Sequence, residues 1–263
     1  MNQTEYRDFL NFMIGMADQA DQISMKYFKE QQLLEVSVKD DGSFVTKADQ
    51  EIERELRTMI DRRYTSHSIL GEEEGETVSD GDGYRWIIDP IDGTHGFMTG
   101  QPIWATLIAL EHKGEILVSM ISAPALSSRW WAGNKFGAYK DFNGETARIS
   151  VSNVDQFDKV QLVYTGVIAC ENHWQGFLKL LTEVWRERGV GDFWGHCLVA
   201  EGVAEIMLDP IVNVWDVAAL NLLVVESGGV MTDDTGLPSY TAGHAISSNK
   251  LLHQALLGAL NDN

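Results

Sequence analysis

An apolar strand that runs straight into two carboxylates constrains this chain more than any other feature. Trp86-Ile87-Ile88 reads as the last buried part of a strand, and Asp89-Pro90-Ile91-Asp92-Gly93-Thr94 follows with no spacer. Pro90 fixes its own φ, lacks an N–H and biases Asp89 towards extended backbone, so ladder pairing is expected to stop there. On a regular strand Asp89 and Ile91 would face one way and Pro90 and Asp92 the other; the proline bend breaks that alternation and lets both carboxylates converge at the strand end. Gly93 permits close backbone approach, and Thr94 can open a helix whose free N–H groups face an anion. Two carboxylates beside such a helix start repel phosphate unless cations intervene. The pattern points to metal-dependent chemistry on a phosphate. The same string also fits ordinary turn chemistry, in which Asp and Gly are common.

Two further acidic clusters weigh against the plain turn. Gly71-Glu72-Glu73-Glu74-Gly75 follows the short apolar run Ser68-Ile69-Leu70. A glutamate pinned by glycine behind a buried strand suits a hard cation that takes oxygen donors, although three successive glutamates also suit a solvated loop. In Trp215-Asp216-Val217-Ala218-Ala219-Leu220 one acid interrupts an apolar helical stretch. Val217, Leu220 and Val224 recur at helical spacing, which puts Asp216 near the start of a buried helix, as an N-cap, a metal ligand or both.

These clusters, in this order, resemble the inositol monophosphatase-like family of metal-dependent phosphomonoesterases over nearly the whole chain. The matching stretches are Val45-Thr46-Lys47-Ala48-Asp49, Gly71-Glu72-Glu73, Trp86 through Thr94 followed by Phe97, and Trp215 through Ala219 followed by Glu226-Ser227-Gly228-Gly229. Finer features resemble the bacterial histidinol-phosphate phosphatases of that family: Gly100-Gln101-Pro102-Ile103-Trp104, Ser122-Ala123-Pro124-Ala125-Leu126 running into Arg129-Trp130-Trp131, and Gly191-Asp192-Phe193-Trp194 followed by Cys197 through Gly202.

The resemblance implies a layered α/β/α/β/α sandwich of the α+β class, shared with fructose-1,6-bisphosphatase. It also implies two to three Mg²⁺ per site. Glu72, Asp89 and the Ile91 carbonyl would hold the first ion, and Asp89, Asp92 and Asp216 the second. Thr94 and Glu72 would orient and deprotonate the attacking water, with Asp49 and Thr46 supporting them and Glu73 orienting its neighbours. Gly93 and Thr94 N–H groups would grip the phosphate, with Asp92 and Asp216 bordering the substrate. Asp192, Asp209 and Glu201 would line the leaving-group side. The implied reaction is hydrolysis of histidinol phosphate, with inositol phosphate or another small phosphomonoester as the alternative. A homodimer is implied as well. Two departures from the family stand out. His95-Gly96 replaces a stretch that often carries Asn before the Phe; His95 reads first as an exposed helix residue, and otherwise as an influence on phosphate approach. Asp209 is one methylene shorter than the usual glutamate.

Composition bounds the remaining alternatives. A net charge of −19 argues against nucleic acid and anionic membranes as partners, while a site that demands cations explains part of the acidity. No stretch reaches the length of a membrane span, and Glu5, Arg7, Asp8 and Asp18 interrupt any signal-peptide core. Cys170 and Cys197 give neither a disulfide framework nor metal-ligand spacing, so both read as buried thiols. A cytoplasmic protein is expected.

Periodicity gives the organisation. Phe9, Leu10, Phe12, Met13, Met16, Ala17, Ala20 and Ile23 mark an amphipathic first helix, and 49–64 a second with Ile52, Leu56, Met59 and Ile60 inward. Strands are expected at 68–71, 84–89, 104–112, 115–123, 129–132, 137–140, 161–164 and 205–209. Further helices are expected near 174–188, 198–203, 216–227 and 250–260. Asn143-Gly144-Glu145-Thr146 reads as a turn, and 145–155 as the join between halves 1–148 and 149–263 of one catalytic unit. Trp130-Trp131 and Phe193-Trp194 read mainly as core or interface packing.

Overall fold

The computed structural model describes residues 1–30, 34–39, 42 and 44–261. The chain opens with α1 (Gln3–Lys29), the ribbon β1 (Val36–Val38) and β2 (Phe44–Thr46), and α2 (Lys47–Arg63). Asn2 and Glu5 form a capping box on α1, and Thr46 and Asp49 form one on α2, so both helices start where their side chains satisfy the free N–H groups. The inward residues Met13, Met16, Ala17 and Ala20 of α1, and Ile52, Leu56 and Ile60 of α2, are fully buried.

Next come β3 (Ser68–Gly71), β4 (Gly75–Thr77), β5 (Tyr84–Asp92), the short helix α3 (Thr94–Thr99), β6 (Ala105–His112), β7 (Glu115–Ala123), β8 (Ser128–Gly133), β9 (Gly137–Phe142) and β10 (Glu145–Arg148). Among the described residues these strands form an eight-stranded sheet in the order β10-β9-β8-β7-β6-β5-β3-β4, parallel at β3–β5 and antiparallel elsewhere. Asn143 and Gly144, at φ 53° and 85°, make the two-residue turn between β9 and β10, a backbone for which Asn-Gly is the favoured pair.

The remainder comprises β11 (Gln161–Tyr164), α4 (Val167–His173), α5 (Phe177–Glu183), β12 (Arg186–Gly189), α6 (Asp192–Ala200), β13 (Ile206–Asp209), α7 (Val214–Glu226), β14 (Gly229–Thr232), β15 (Ala245–Asn249) and α8 (His253–Asn261). A five-stranded sheet runs β12-β11-β13-β15-β14. Three apolar interfaces define the layers. Residues of α1 and α2 pack on one face of the large sheet around Trp86, Ile88 and Ile108. On its other face Ile87, Leu107 and Ile121 meet α6 and α7 through Phe193, Leu220 and Leu223. Beyond the small sheet, Leu162, Ile206 and Leu208 meet Phe177, Leu256 and Leu260 of the outer helices. The result is the α/β/α/β/α sandwich that the sequence resemblance implied.

Several local expectations need correction. The segment 174–188 is not one helix. A Cβ on Gly176 would lie 1.8 Å from the Ala259 carbonyl oxygen, so the chain must pass α8 closely there before α5 can start. After Glu183 the backbone turns extended at Val184, and Arg186–Gly189 pairs in parallel with β11. Helix α6 begins at Asp192, six residues before the expected 198. Gly195 hides its helical periodicity, yet a Cβ there would strike the Met207 sulfur at 2.3 Å. Close packing on β13 selects a glycine that propensity disfavours.

Candidate active site

Strand β5 does not stop at Pro90. Asp89 pairs with Leu107 and Asp92 with Ala105, so β5 carries one more residue than β6 across this interval. That extra residue is a bulge, and proline is tolerated in one because no ladder N–H is needed there. Its carbonyl accepts the Thr106 hydroxyl at 2.8 Å. The bulge also resets the faces of the strand. Ile88 and Ile91 both enter the core beneath α1 and α2, while Ile87 enters the one beneath α7. Asp89 and Asp92, three residues apart, therefore share the α7 side. The convergence expected from sequence is present, and its cause is a bulge inside the ladder rather than an end to pairing.

Glu72 arrives on the tight turn between β3 and β4, beside β5. Its neighbour Glu53 on α2, completely buried, holds that turn: the Glu73 and Glu74 N–H groups donate to its two oxygens at 2.7 and 3.0 Å, and Arg57 Nε at 2.8 Å. Gly71 is required here, since a Cβ would lie 2.1 Å from Glu53 Oε1. Lys39 Nζ reaches in from the loop after β1 and donates to Glu72 Oε1 at 2.9 Å and Glu73 Oε1 at 2.8 Å. Replacing Glu53 by Ala strands the buried Arg57 and two N–H groups. Urea denaturation should show a loss of about 3 kcal/mol, and turnover should fall roughly 10–100-fold as the turn loosens. Unchanged stability would mean that Glu53 does not hold the turn.

Asp216 is the third residue of α7; the cap is Asn213, whose N–H donates to Asp216 Oδ2 at 2.7 Å. Asp192 opens α6 at φ 55°, a backbone that Asp tolerates better than most side chains. The next N–H, that of Phe193, donates to Asp92 Oδ2 and ties α6 to β5. Asp209 ends β13. Asp92, Asp192, Asp209 and Asp216 together line a cavity of about 70 Å³ with Thr165 and His196. Two residues after Asp92, Thr94 Oγ1 donates to the Ile91 carbonyl at 3.0 Å. Gly93 sits at φ 84°, and a Cβ there would stand 2.8 Å from the Ile103 carbonyl oxygen, so only glycine suits this approach.

So many acids in one place disturb one another. Burial pushes the Asp89 carboxyl well above its ordinary value, with Glu72, Asp92 and Asp216 adding repulsion. Asp92 is raised likewise, by burial and then by Asp192 and Asp216, against the opposing Phe193 N–H. Asp216 is pushed up to about 7 by burial, then by Glu72 and Asp192. Asp209 also reaches about 7, through burial, then Asp192 and Asp216. Asp49 and Glu73 reach about 7 by burial and by the nearby glutamates. Two carboxylate oxygens, Asp89 Oδ1 and Asp49 Oδ1, are buried without a hydrogen-bond partner. Clustered, buried acids with oxygen atoms to spare fit hard divalent cations, which accept an all-oxygen shell and neutralise the mutual repulsion.

The structure does not bring Glu201 to this cavity. Its carboxylate accepts from Lys140 Nζ at 2.9 and 3.0 Å and from Trp130 Nε1 at 2.7 Å, at the far end of α6. Trp130 and Phe193 meet edge to face in the core, and Trp131 stacks on Tyr139, in line with packing roles. Both cysteines are buried. His95 is exposed, against the Phe44 ring; burial raises the Asp192 carboxyl above its ordinary value, and the nearby His95 opposes that. Sequence reasoning missed Lys39, Glu53 and His196. The last is buried with Nδ1 2.7 Å from Ser247 Oγ and Nε2 4.0 Å from Asp209. Only contacts between residues distant in sequence reveal all three.

Fold and site together define a family. A sequence model described as the Inositol monophosphatase family matches residues 5–263, and the chain belongs to that family. It is a phosphatase, a hydrolase acting on phosphoric monoesters. Histidinol-phosphatase of Mycobacterium tuberculosis is 39% identical over 257 residues, 97% of this chain and 98% of that protein. Histidinol-phosphatase of Streptomyces coelicolor is 39% identical over 264 residues, 98% of each. Among solved structures, extragenic suppressor protein suhB from Bartonella henselae matches with a TM-score of 0.88 at 26% identity, covering 97% of this chain and 99% of its own.

Proposed function

We propose that the protein is a Mg²⁺-dependent phosphatase that hydrolyses L-histidinol phosphate to L-histidinol and phosphate. The observation that carries the metal requirement is the gathering of Glu72, Asp89, Asp92 and Asp216 from three separate segments into one mutually repelling group. The substrate reading rests on the 39% identity to two histidinol-phosphatases and on the acids Asp192 and Asp209 beside that group. A substrate with an ammonium and an imidazole suits carboxylate acceptors.

Glu72, Asp89, the Ile91 carbonyl, Asp92 and Asp216 would hold two to three Mg²⁺, which when bound supply charge that draws the phosphate and lower the pKa of water. Thr94 Oγ1 spends its proton on the Ile91 carbonyl, so its lone pairs are left to accept a hydrogen from the attacking water and aim its oxygen. Glu72 takes the other proton as the water attacks phosphorus. The Gly93 and Thr94 N–H groups hold the phosphoryl oxygens while negative charge grows on them. The P–O bond to the alcohol breaks, and the alkoxide takes a proton from solvent. Asp49, which caps α2 near Glu72 and Glu73, would support the water-activating groups, and Asp192 and Asp209 would accept hydrogen bonds from the leaving alcohol's nitrogen groups.

Carboxylates also accept from hydroxyls, so inositol 1-phosphate is the alternative substrate. Phosphate release from both compounds in parallel, with Mg²⁺ added or chelated, separates them. Histidinol phosphate should be turned over at least tenfold more efficiently, and only with the metal; a preference for inositol 1-phosphate overturns the substrate reading. The working form is proposed to be a cytoplasmic homodimer, with halves 1–148 and 149–263 acting as one unit and neither nucleic acid nor membrane as partner. No helix among the described residues is long and apolar enough to cross a membrane.

The raised carboxyls set a pH dependence. Asp209 and Asp216 titrate near 3.8 when unfolded and near 7 when folded. A pKa raised on folding contributes stability that is full below the unfolded value and is lost as pH rises through the folded one. Chelator-treated protein should therefore melt at a lower temperature at pH 8 than at pH 5, with Mg²⁺ restoring more at pH 8. A melting temperature that rises over this range in chelator would contradict the charge cluster.

A further inference from the structure

We propose that His173, Asp234 and His244 form a second divalent-cation site, selective for a zinc-class ion over Mg²⁺. The three come from elements that supply none of the carboxylates above: His173 ends α4, while Asp234 and His244 lie in the loop from β14 to β15. One ligand atom from each falls within 4.8 Å of the others, a spacing at which three such side chains could share one ion. His173 Nε2 stands 3.0 Å from Asp234 Oδ2 and His244 Nε2 3.2 Å from the same oxygen. Bonds of about 2.0–2.2 Å to a tetrahedral Zn²⁺ place its ligand atoms roughly 3.3–3.5 Å apart. Two edges of the triad are already within a few tenths of an ångström of that spacing.

Hydrogen bonding at the triad points the same way. The Asp234 N–H donates to His244 Nε2 at 3.1 Å, so that nitrogen carries a lone pair. That lone pair accepts the N–H and also stands 3.2 Å from the Asp234 carboxylate oxygen, so a cation that binds both bases takes the lone pair over from the N–H. Asp234 is also held in position. Trp174 Nε1 donates to its Oδ1 at 2.6 Å, leaving Oδ2 to the histidines, and the Trp174 ring is anchored in the outer core. The turn that carries Asp234 is fixed by the Thr235 and Leu237 N–H groups on Asp233 Oδ1, at 2.8 and 3.0 Å. Ligating groups are commonly oriented by such outer partners.

The donor set decides the ion. Two imidazoles and one carboxylate suit Zn²⁺ and its neighbours, whereas Mg²⁺ prefers oxygen alone. His173 is exposed, so water can complete the shell. An ion here staples α4 to the loop before β15. That loop also carries Gly243, whose carbonyl accepts the Val212 N–H at 2.9 Å, just ahead of the Asn213 cap and Asp216.

The test is Zn²⁺ uptake by the full-length protein in excess Mg²⁺, compared with His173→Gln and with the double variant His173→Gln, His244→Gln. Wild type should take up one more equivalent than the double variant, and Trp174→Phe should bind that equivalent roughly tenfold more weakly. Mg²⁺-supported phosphate release should be unchanged in His173→Gln. Co²⁺ added to wild type gives a readout that needs no variant: intense visible bands of four-coordinate, imidazole-ligated Co²⁺ are expected. Equal Zn²⁺ stoichiometry in wild type and folded variants overturns the proposal. So does a Co²⁺ spectrum with only the pale bands of oxygen ligation.

Discussion

Asp92→Asn should abolish phosphate release, lowering kcat by on the order of a thousandfold or more, while the protein stays folded. The change removes a charge and no volume. The new side-chain carbonyl can still accept the Phe193 N–H that ties α6 to β5. Because burial and the acids Asp192 and Asp216 already push the Asp92 carboxyl towards its protonated form, a neutral side chain relieves repulsion. Chelator-treated Asp92→Asn should therefore melt no lower than chelator-treated wild type at pH 8, and Mg²⁺ should raise its melting temperature less. Near-normal turnover with a lowered melting temperature would instead make Asp92 only a helix anchor.

Asp192→Asn should lower kcat/KM for histidinol phosphate roughly 10–100-fold, the range for losing one hydrogen bond to a charged group. A plain aryl phosphate should change less than about threefold. Asparagine is the informative replacement because residue 192 sits at φ 55°, where Asn is at ease and Ala costs about 1–2 kcal/mol. On the proposed mechanism both substrates would meet the same metals and the same phosphate grip, so only the leaving group would distinguish them. Equal losses on the two would mean that Asp192 acts through Asp92 and Asp216 and does not read the leaving group.

The long elements were legible because burial writes its period into the sequence. β7 and β11 lie where the alternation put them, and the inward faces of α1 and α2 carry the expected residues. β14 and β15 were not foreseen. β15 reads Ala-Ile-Ser-Ser-Asn, a polar run that resembles a loop, yet all five residues are buried. Ser247 there is paired with His196 and Ser248 with His253, partners that no local pattern announces. The carboxylates were legible from their glycines, proline and flanking apolar runs. Their supports were not, because Glu53 on α2 and Lys39 after β1 act on a turn some twenty or more residues away. Pro90 shows the limit of local rules. Its missing N–H does exclude a ladder bond, but the chain absorbs the loss in a bulge and continues pairing, and that bulge turns Asp92 to the side of Asp89.

The central claim is that acids from β5, the β3–β4 turn and α7 serve to bind divalent ions. Calorimetric titration of Mg²⁺ into chelator-stripped protein, with and without inorganic phosphate, tests it most directly. Saturable uptake of at least two ions per chain is predicted with phosphate present, reduced by at least one in Asp92→Asn. No heat of Mg²⁺ binding to the folded wild-type protein, under either condition, would contradict it.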